Sequence, residues 1–468
     1  MVDAIELSYM EALFKDYLDE QEAIVLARNY HMGEQTVYLT DRMKEFLNLN
    51  ADIPFRLNVC RVIADTLKDE LSVIGFDTNE QADAKKQAEW ALELWQSNRM
   101  DGVQSEVHEF ALRDRETFVI VEWDDEKQRP NMVHNQVFTD LDADGDGLGC
   151  WMKYANDDPN QAAEFAVKQW TETVSEDGRQ VTRTRRTFYF PDRIEKWVYA
   201  PGGWTHYEEE GKDWPIAWVD AQGNPLGIPV IHFKNANMMP EAWDAIPMQD
   251  AINKTLVDML GTVDLAGFPM LKVFGFFPTT DGKALAADGS NQLKLSPMAL
   301  LGSQKMPSEA SLDKIPGEDP TPIMNTLKDL LVLTAMITST PTSRFIITAQ
   351  VAGEGSQKES RDALKKKARN RRIKFGDAWE DAMTMARKLA NRYSAAGMDE
   401  SVRFSTLWET SVDLNELKTK REALQIPLEQ LWQEAGYSPS RIAAMKETDE
   451  YQAKLALMQI GLNNQQNG

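Results

Sequence analysis

The sequence predicts an α+β fold that is mainly helical. Three observations carry this expectation. Apolar residues recur every three or four positions over long stretches, the period drops to two from Thr117 onward, and a Pro- and Gly-containing break near residues 340–355 separates two helices. A chain of 468 residues can bury a large core and has room for roughly two to four domains.

Residues 1 to about 115 read as helical, with Leu57, Cys60, Ile63, Ala64, Leu67 and Leu71 on one apolar stripe. Val73-Ile74-Gly75-Phe76 closes that unit, and two more helices follow on Ala84, Ala88, Ala91, Leu92 and Trp95, then on Val103, Val107, Phe110 and Ala111. The run Phe118 to Trp123, the alternating flanks of Asp177-Gly178 and the run Thr187 to Phe190 predict an antiparallel meander. A Pro-, Gly- and Trp-rich section spans 201–229. Helical spacing returns from Ala245 to about Val263 through Ile246, Met248, Ile252, Leu256, Met259 and Leu260. Residues 264–320 hold short β-like pieces (MLKVFGFF, QLKLS) between Gly and Pro, which suggests a small α/β insertion between two helices.

The second of those helices opens with Pro322, suited to a first helical turn, and carries Ile323, Leu327, Leu330, Leu331, Thr334 and Ile337 on one face. Thr340-Pro341-Thr342 stops it, because proline lacks an amide donor and drives the preceding residue out of the α region. A loop with Gly353 and Gly355 follows, and Ser356 or Ser360 is placed to cap the next helix. From there to about Ala395 there is no proline, and Phe375, Trp379, Ala382, Met383, Ala386, Leu389, Ala390 and Tyr393 mark one face. That is roughly 36 helical residues, about 54 Å. Globular helices average about 11 to 12 residues, so this length suggests a spanning element of a large assembly. Residues 403–460 read as a small helical unit, with Asp413 and Glu416 as a capping box, Pro427 and Pro439 at helix starts and Gly436 at a helix end. A polar tail, Asn463 to Gly468, is expected to be disordered.

Composition narrows the class. Apolar residues make up 42% and aromatics 9%, which argues against wholesale disorder. No run approaches the roughly 20 apolar residues needed to cross a bilayer. The acidic, amphipathic start reads as a folded helix and lacks the basic beginning of a secretory signal. Cys60 and Cys150 cannot build a disulfide framework and suit a reducing compartment, with Cys60 in the core. A net charge of −23 argues against generic DNA binding, which needs cations to neutralise phosphates. It leaves DNA open as cargo, since charges are screened over about 8 Å at physiological salt and a passing polymer feels the local lining.

Catalytic motifs are missing. The closest approach to a Walker A loop, Gly275 to Lys283, has the wrong spacing and is followed by Ala284. Gly353-Glu354-Gly355 starts a G-x-G pattern, but Lys358 replaces the third glycine and no strand precedes it. There is no HExxH, GxSxG or CxxC, and His31, His108, His134, His206 and His232 stand singly, as surface or core residues do. No catalytic residue and no organic cofactor is expected. Asp142, Asp144 and Asp146, followed by Gly147, copy the start of an EF-hand loop, but Lys153 stands where the bidentate Glu belongs. A polar hairpin tip, turned by Gly145, Gly147 and Gly149, accounts for them, with weak Ca2+ binding as the alternative. Lys365, Lys366, Lys367, Arg369, Arg371, Arg372 and Lys374 form the one concentrated basic run. It reads either as a salt-bridged face answering a neighbouring subunit's acidic surface or as a nucleic-acid contact.

Five stretches in order carry a family resemblance: Asn58-Val59-Cys60-Arg61-Val62-Ile63-Ala64-Asp65 with Gly75-Phe76; Tyr189-Phe190-Pro191-Asp192-Arg193-Ile194-Glu195-Lys196-Trp197; Asn224-Pro225-Leu226-Gly227-Ile228-Pro229-Val230-Ile231-His232-Phe233; Gln249-Asp250-Ala251-Ile252-Asn253-Lys254-Thr255-Leu256; and Phe268-Pro269. Over nearly its whole length the chain resembles portal proteins of tailed bacteriophages, of the siphophage type related to the Gp6-like portal family. It departs from the Ser-Gly-Glu-Ala-like start of the long helix in many relatives, with Gly355-Ser356-Gln357-Lys358-Glu359-Ser360 at that place.

The resemblance implies a portal-type subunit with a helical stem, a mixed α/β wing, a small α/β clip and a helical crown. It assigns 1–243 to the wing, 244–263 and 321–339 to stem helices, 264–320 to the clip, 340–358 to a tunnel loop, 359–399 to the long wing helix and 400–468 to the crown and tail. It further implies a homododecameric ring at one capsid vertex of the virion, assembled in the host cytoplasm, through which double-stranded DNA is packaged and ejected. The implied partners are other copies of the chain, the terminase large subunit, head-tail adaptors, and the major capsid and scaffold proteins, with no membrane. Arg344, Gln350 and Lys358 on the loop are then expected to meet DNA transiently. The competing classes are another DNA-packaging or head-tail connector component, a nucleotide-driven DNA motor, which the missing phosphate-binding loop disfavours, and a monomeric calcium-binding adaptor, which has no use for stem-like helices.

Overall fold

The computed structural model describes residues 21–35, 57–78, 82–138, 148–159, 161–176, 179–200, 203–209, 211, 213–267, 271–274, 290, 311–314, 319–345, 354–409, 414–435, 442, 445, 446 and 448. It is a mixed α/β chain in two compact units. The first takes in residues 1–35, 58–246 and 335–468, the second residues 36–57 and 247–334.

The first unit begins with α1 (Glu22–Met32) and α2 (Val59–Lys68). Asn58 caps α2 by accepting a hydrogen bond from the Arg61 amide at 3.2 Å, and the helix buries Cys60, Ile63, Ala64 and Leu67, most of the predicted stripe. Val73-Ile74-Gly75-Phe76 lies in a strand, β1 (Val73–Thr78). The buried Gln104 amide brackets its first residue, accepting from the Val73 amide at 2.7 Å and donating to the Val73 carbonyl at 3.2 Å. Gln104 lies on α4 (Met100–Asp114), which follows α3 (Ala82–Ser97).

Next come β2 (Glu116–Asp124) and β3 (Arg129–Gln136), paired as an antiparallel hairpin. The predicted meander is met only in part: the flanks of Asp177-Gly178 and the run from Thr187 lie in a sheet of β4 (Gly149–Tyr154), β5 (Ala163–Glu176), β6 (Arg179–Tyr189), β7 (Arg193–Ala200) and β8 (Gly203–His206) in sequential order, with the short β9 (Ile216–Ala217) also pairing with β7, whereas the run Phe118 to Trp123 lies in β2, in a separate sheet. Gly149 is obligatory at its start. Its φ is +140°, and a Cβ there would lie 2.7 Å from the Gln136 carbonyl oxygen. One face of the meander gathers Trp151, Phe165, Val167, Phe188 and Trp197 into an aromatic cluster. Strand β10 (Val230–Lys234) pairs with the other side of β2, giving a three-stranded sheet in the order β10-β2-β3.

The second unit holds most of α5 (Ile246–Gly267) and of α6 (Thr321–Thr338). Between them β11 (Leu271–Phe274) and β12 (Ser311–Lys314) pair antiparallel, with Val273 opposite Leu312. The first of these is the predicted MLKVFGFF piece. The QLKLS piece lies outside the described residues.

Back in the first unit, α7 (Glu354–Tyr393) runs for 40 residues. It starts five residues earlier than the boundary the sequence suggested, so residues 354–358 belong to the helix and not to the loop. Its stripe of Phe375, Trp379, Ala382, Met383, Ala386 and Leu389 is fully buried, packed over β2 and β10. The Trp379 ring meets Phe233 at 4.6 Å and Trp95 at 4.8 Å between centroids. Residues 404–408, expected to be helical, instead form β13 (Phe404–Trp408), antiparallel to β1 with Phe76 opposite Thr406. The helical part of the terminal region is α8 (Leu414–Leu424) and α9 (Leu428–Glu434), the latter starting directly after Pro427. Both cysteines are buried and neither is in a disulfide, and among the described residues no helix is long and apolar enough to cross a membrane.

Candidate functional site: the helix, turn and long helix of residues 321–393

Helix α6 is apolar on two sides. Leu331, Thr334, Ala335 and Thr338, spaced three and four apart, are buried. Val332, Leu333, Met336 and Ile337 are exposed, Met336 by 70% and Ile337 by 52%. A helix apolar on both sides suits an interior, and among the described residues this one leaves its second stripe exposed.

The helix ends in a tightly bonded turn. The Thr340 amide donates to the Ala335 carbonyl at 3.0 Å, the Thr338 hydroxyl donates to that of Thr340 at 2.9 Å, and Ser339 takes a left-handed φ of 54°. The Lys367 ammonium of α7 donates to the Thr338 carbonyl at 2.6 Å, a cation at a helix carboxyl end where the dipole favours it. Lys367 also lies 2.5 Å from Glu241, and Arg371, one turn on, reaches the same carboxylate at 2.8 Å. Burial pushes the Glu241 carboxyl upward, but Lys367 and Arg371 outweigh it and hold the group below the usual carboxylate range. The end of α6, the segment before α5 and the long helix α7 thus meet at one buried carboxylate.

The basic run divides on the helical wheel. Lys367 and Arg371 face Glu241, while Arg372 donates to the Glu70 carbonyl at 3.0 and 2.6 Å. Lys365, Lys366, Arg369 and Lys374 are exposed, with Ile373 exposed between them. Contiguity in sequence signalled a single patch, whereas the 3.6-residue period sends part of it inward. Glu241, the partner that decides this, lies more than a hundred residues upstream and carried no local signal.

Of the loop residues, Arg344 sits in a short 3-10 turn (Thr342–Arg344) with its guanidinium 3.7 Å from the half-exposed Asp69 carboxylate. Gln350 lies outside the described residues. Lys358 falls on α7, and its side chain lies outside them too. Asp142, Asp144 and Asp146 also lie outside the described residues. Elsewhere His31, Asp65 and Glu109 bring ligand-type atoms within 4.8 Å of one another, but the Lys68 ammonium already lies 2.9 Å from each carboxylate.

Two histidines serve the core. His108 is completely buried, its Nε2 accepting from the Trp379 indole at 3.0 Å and its Nδ1 donating to the Leu71 carbonyl at 2.9 Å. Burial lowers its pKa to about 4, so the ring is neutral at pH 7. His232 stands between the Tyr154 hydroxyl at 2.7 Å and the Glu116 carboxylate at 2.9 Å.

A family model described as "Phage portal protein, SPP1 Gp6-like" matches residues 50–452. A protein called "Portal protein" from Mycobacterium phage D29 is 22% identical over 292 residues, covering 59% of this chain and 57% of that protein. The chain therefore spans little more than half the length of that curated relative. A solved structure described as "Neck of empty GTA particle computed with C6 symmetry" aligns with 78% of this chain and 82% of its own, at a TM-score of 0.40 and 12% identity.

Proposed function

Because the chain belongs to the SPP1 Gp6-like phage portal family, we propose that it is the subunit of a ring at one capsid vertex through which double-stranded DNA is packaged and later ejected. The match over residues 50–452 carries this reading. The geometry supports it through α6, whose uncovered apolar stripe suits a helix that completes its burial only against other copies. The chain acts as a structural conduit and not as an enzyme.

In this reading α5 and α6 belong to the stem, residues 264–320 to the clip, residues 1–243 and the long helix to the wing, 340–353 to the tunnel loop and residues beyond 400 to the crown. The ring has twelve copies, and its partners are the terminase large subunit, then head-tail adaptors, together with capsid and scaffold proteins. A channel for sliding DNA is best lined with few cations, because each neutralised phosphate deepens binding. The net charge of −23 and the inward pairing of Lys367 and Arg371 both suit that need. Arg344, Gln350 and Lys358 make transient DNA contacts at the loop and its junction with α7. Replacing all three by Ala should impair packaging or DNA retention, and unchanged values for both would remove these residues from the proposal.

Negative-stain imaging of the purified chain over a range of concentrations tests the main claim, since assembly depends on concentration. Rings with a central hole are expected. A compact monomer under all conditions, including with scaffold protein present, would overturn the reading.

A further inference from the structure

Strand β10 offers an open sheet edge. The Val121 amide donates to the Pro229 carbonyl at 2.9 Å and the Asn235 amide to the Arg115 carbonyl at 2.8 Å, which fixes the alternation of the ladder. Residues 229, 231, 233 and 235 turn their backbone groups toward β2. Val230, His232 and Lys234 turn theirs away, and β10 has no strand on that side among the described residues. Such an edge is a template for another strand.

The edge borders a cleft of about 950 Å3, lined by Val230, His232 and Lys234, by α7, and by Tyr154, Pro159 and Ala163 at the end of β4 and the start of β5. Both ends are held. The Lys234 ammonium donates to the Pro159 carbonyl at 2.6 Å, and the Lys388 ammonium donates to the Leu226 carbonyl at 3.0 Å. Along α7 the wall reads Lys374, Asp377, Asp381, Met385 and Lys388, cations at the ends and carboxylates between them. Burial, and then the neighbouring Asp377, push the Asp381 carboxyl upward, so a cation entering there would be favoured.

We propose that this cleft binds an extended peptide of a separate partner protein as an added strand on β10, with a basic side chain near its middle and acidic side chains toward its ends. The backbone supplies the pairing and the alternating side chains supply the selectivity. The spacing is definite. Lys374 and Lys388 are separated by about 21 Å of helix at 1.5 Å per residue, and six steps of a strand cover about 20 Å. Lys374 acts electrostatically on Lys234 while Lys388 holds Leu226, so α7 runs opposite to β10. A strand added antiparallel to β10 therefore runs along α7 in the same direction. Its first residue falls by Lys374, its third by Asp377 and Asp381, and its seventh by Lys388. This binding surface is independent of the portal reading and would stand if that reading failed.

The probe is the capped heptapeptide Glu-Val-Lys-Val-Thr-Val-Glu, fluorescently labelled and titrated with the full chain by anisotropy. Saturable binding below about 1 mM is expected, weakened at least about tenfold by N-methylation of one alternate set of amides and little changed by methylation of the other. Val230→Pro removes an outward N–H while leaving the ladder to β2 intact; because Val230 is buried, Val230→Ala, which keeps the N–H, is the control, and Val230→Pro should bind about tenfold more weakly than it. The double variant Asp377→Lys, Asp381→Lys should reverse the preference toward a peptide with Glu at its third position. No saturable binding at about 1 mM, or binding indifferent to both methylation sets, would overturn the proposal. So would binding to the dispersed chain that is lost in the assembled ring, which would give the cleft to a neighbouring copy.

Discussion

At the scale of single residues, the interior is held by polar groups with fixed charge states. His108 is neutral when folded and titrates near pH 4, whereas an unfolded His takes up its proton near pH 6.5. The stability that depends on its neutral ring is therefore complete above pH 6.5 and is lost as the pH falls from 6.5 toward 4, amounting to about 3 kcal/mol. In urea melts at pH 7 and pH 5, His108→Gln should show a smaller loss on acidification than the parent chain. Glu241 is the opposite case, a buried anion facing Lys367 and Arg371. Glu241→Gln leaves two cations with no counter-charge and should cost about 3 kcal/mol, read as a lower denaturant midpoint. Sequence pattern exposed the cations but not their partner, because ion pairing across more than a hundred residues leaves no periodic trace. It placed Cys60 in the core, where it lies, but left His108 open between surface and core, because what makes its burial tolerable is a partner at each nitrogen, Leu71 and Trp379.

At the scale of elements, α6 has one stripe within the chain and one outside it. Leu333→Glu with Met336→Glu alters residues that are 48% and 70% exposed, so folded stability should move by no more than about 0.5 kcal/mol. Ring assembly, measured by mass photometry, should be lost. Helices were the most legible elements, since α2, α5, α6 and the second half of α7, from Phe375, carry a 3.6-residue apolar period. The start of α7 is not legible, because the residues before Ser360 are polar and glycine-rich and carry no stripe. Strand β13 was missed for a deeper reason: five residues make no pattern alone, and its pairing partner β1 lies at Val73–Thr78. The edge of β10 was equally invisible, since a sequence shows that a strand exists but not how many neighbours it has.

At the scale of the whole molecule, the chain folds as two compact units of unequal size, and unfolding should not be a single two-state step. Calorimetry should give an enthalpy larger than the van't Hoff value, and His108→Gln, which lies in the first unit, should shift one component alone. Coincident transitions by every probe would refute this. The net charge of −23 agrees with the proposed conduit, which must not hold its cargo, and that much was legible from composition. The pairing of β1 with β13 has a consequence for biosynthesis. The two strands stand more than 300 positions apart, and at about 5 to 20 residues per second the ribosome needs roughly 15 to 65 s to deliver the second after the first. Throughout that interval β1 waits without its partner, so in the proposed ring a subunit becomes competent for assembly only after Trp408 has been made, and a shorter nascent chain cannot recruit its neighbours.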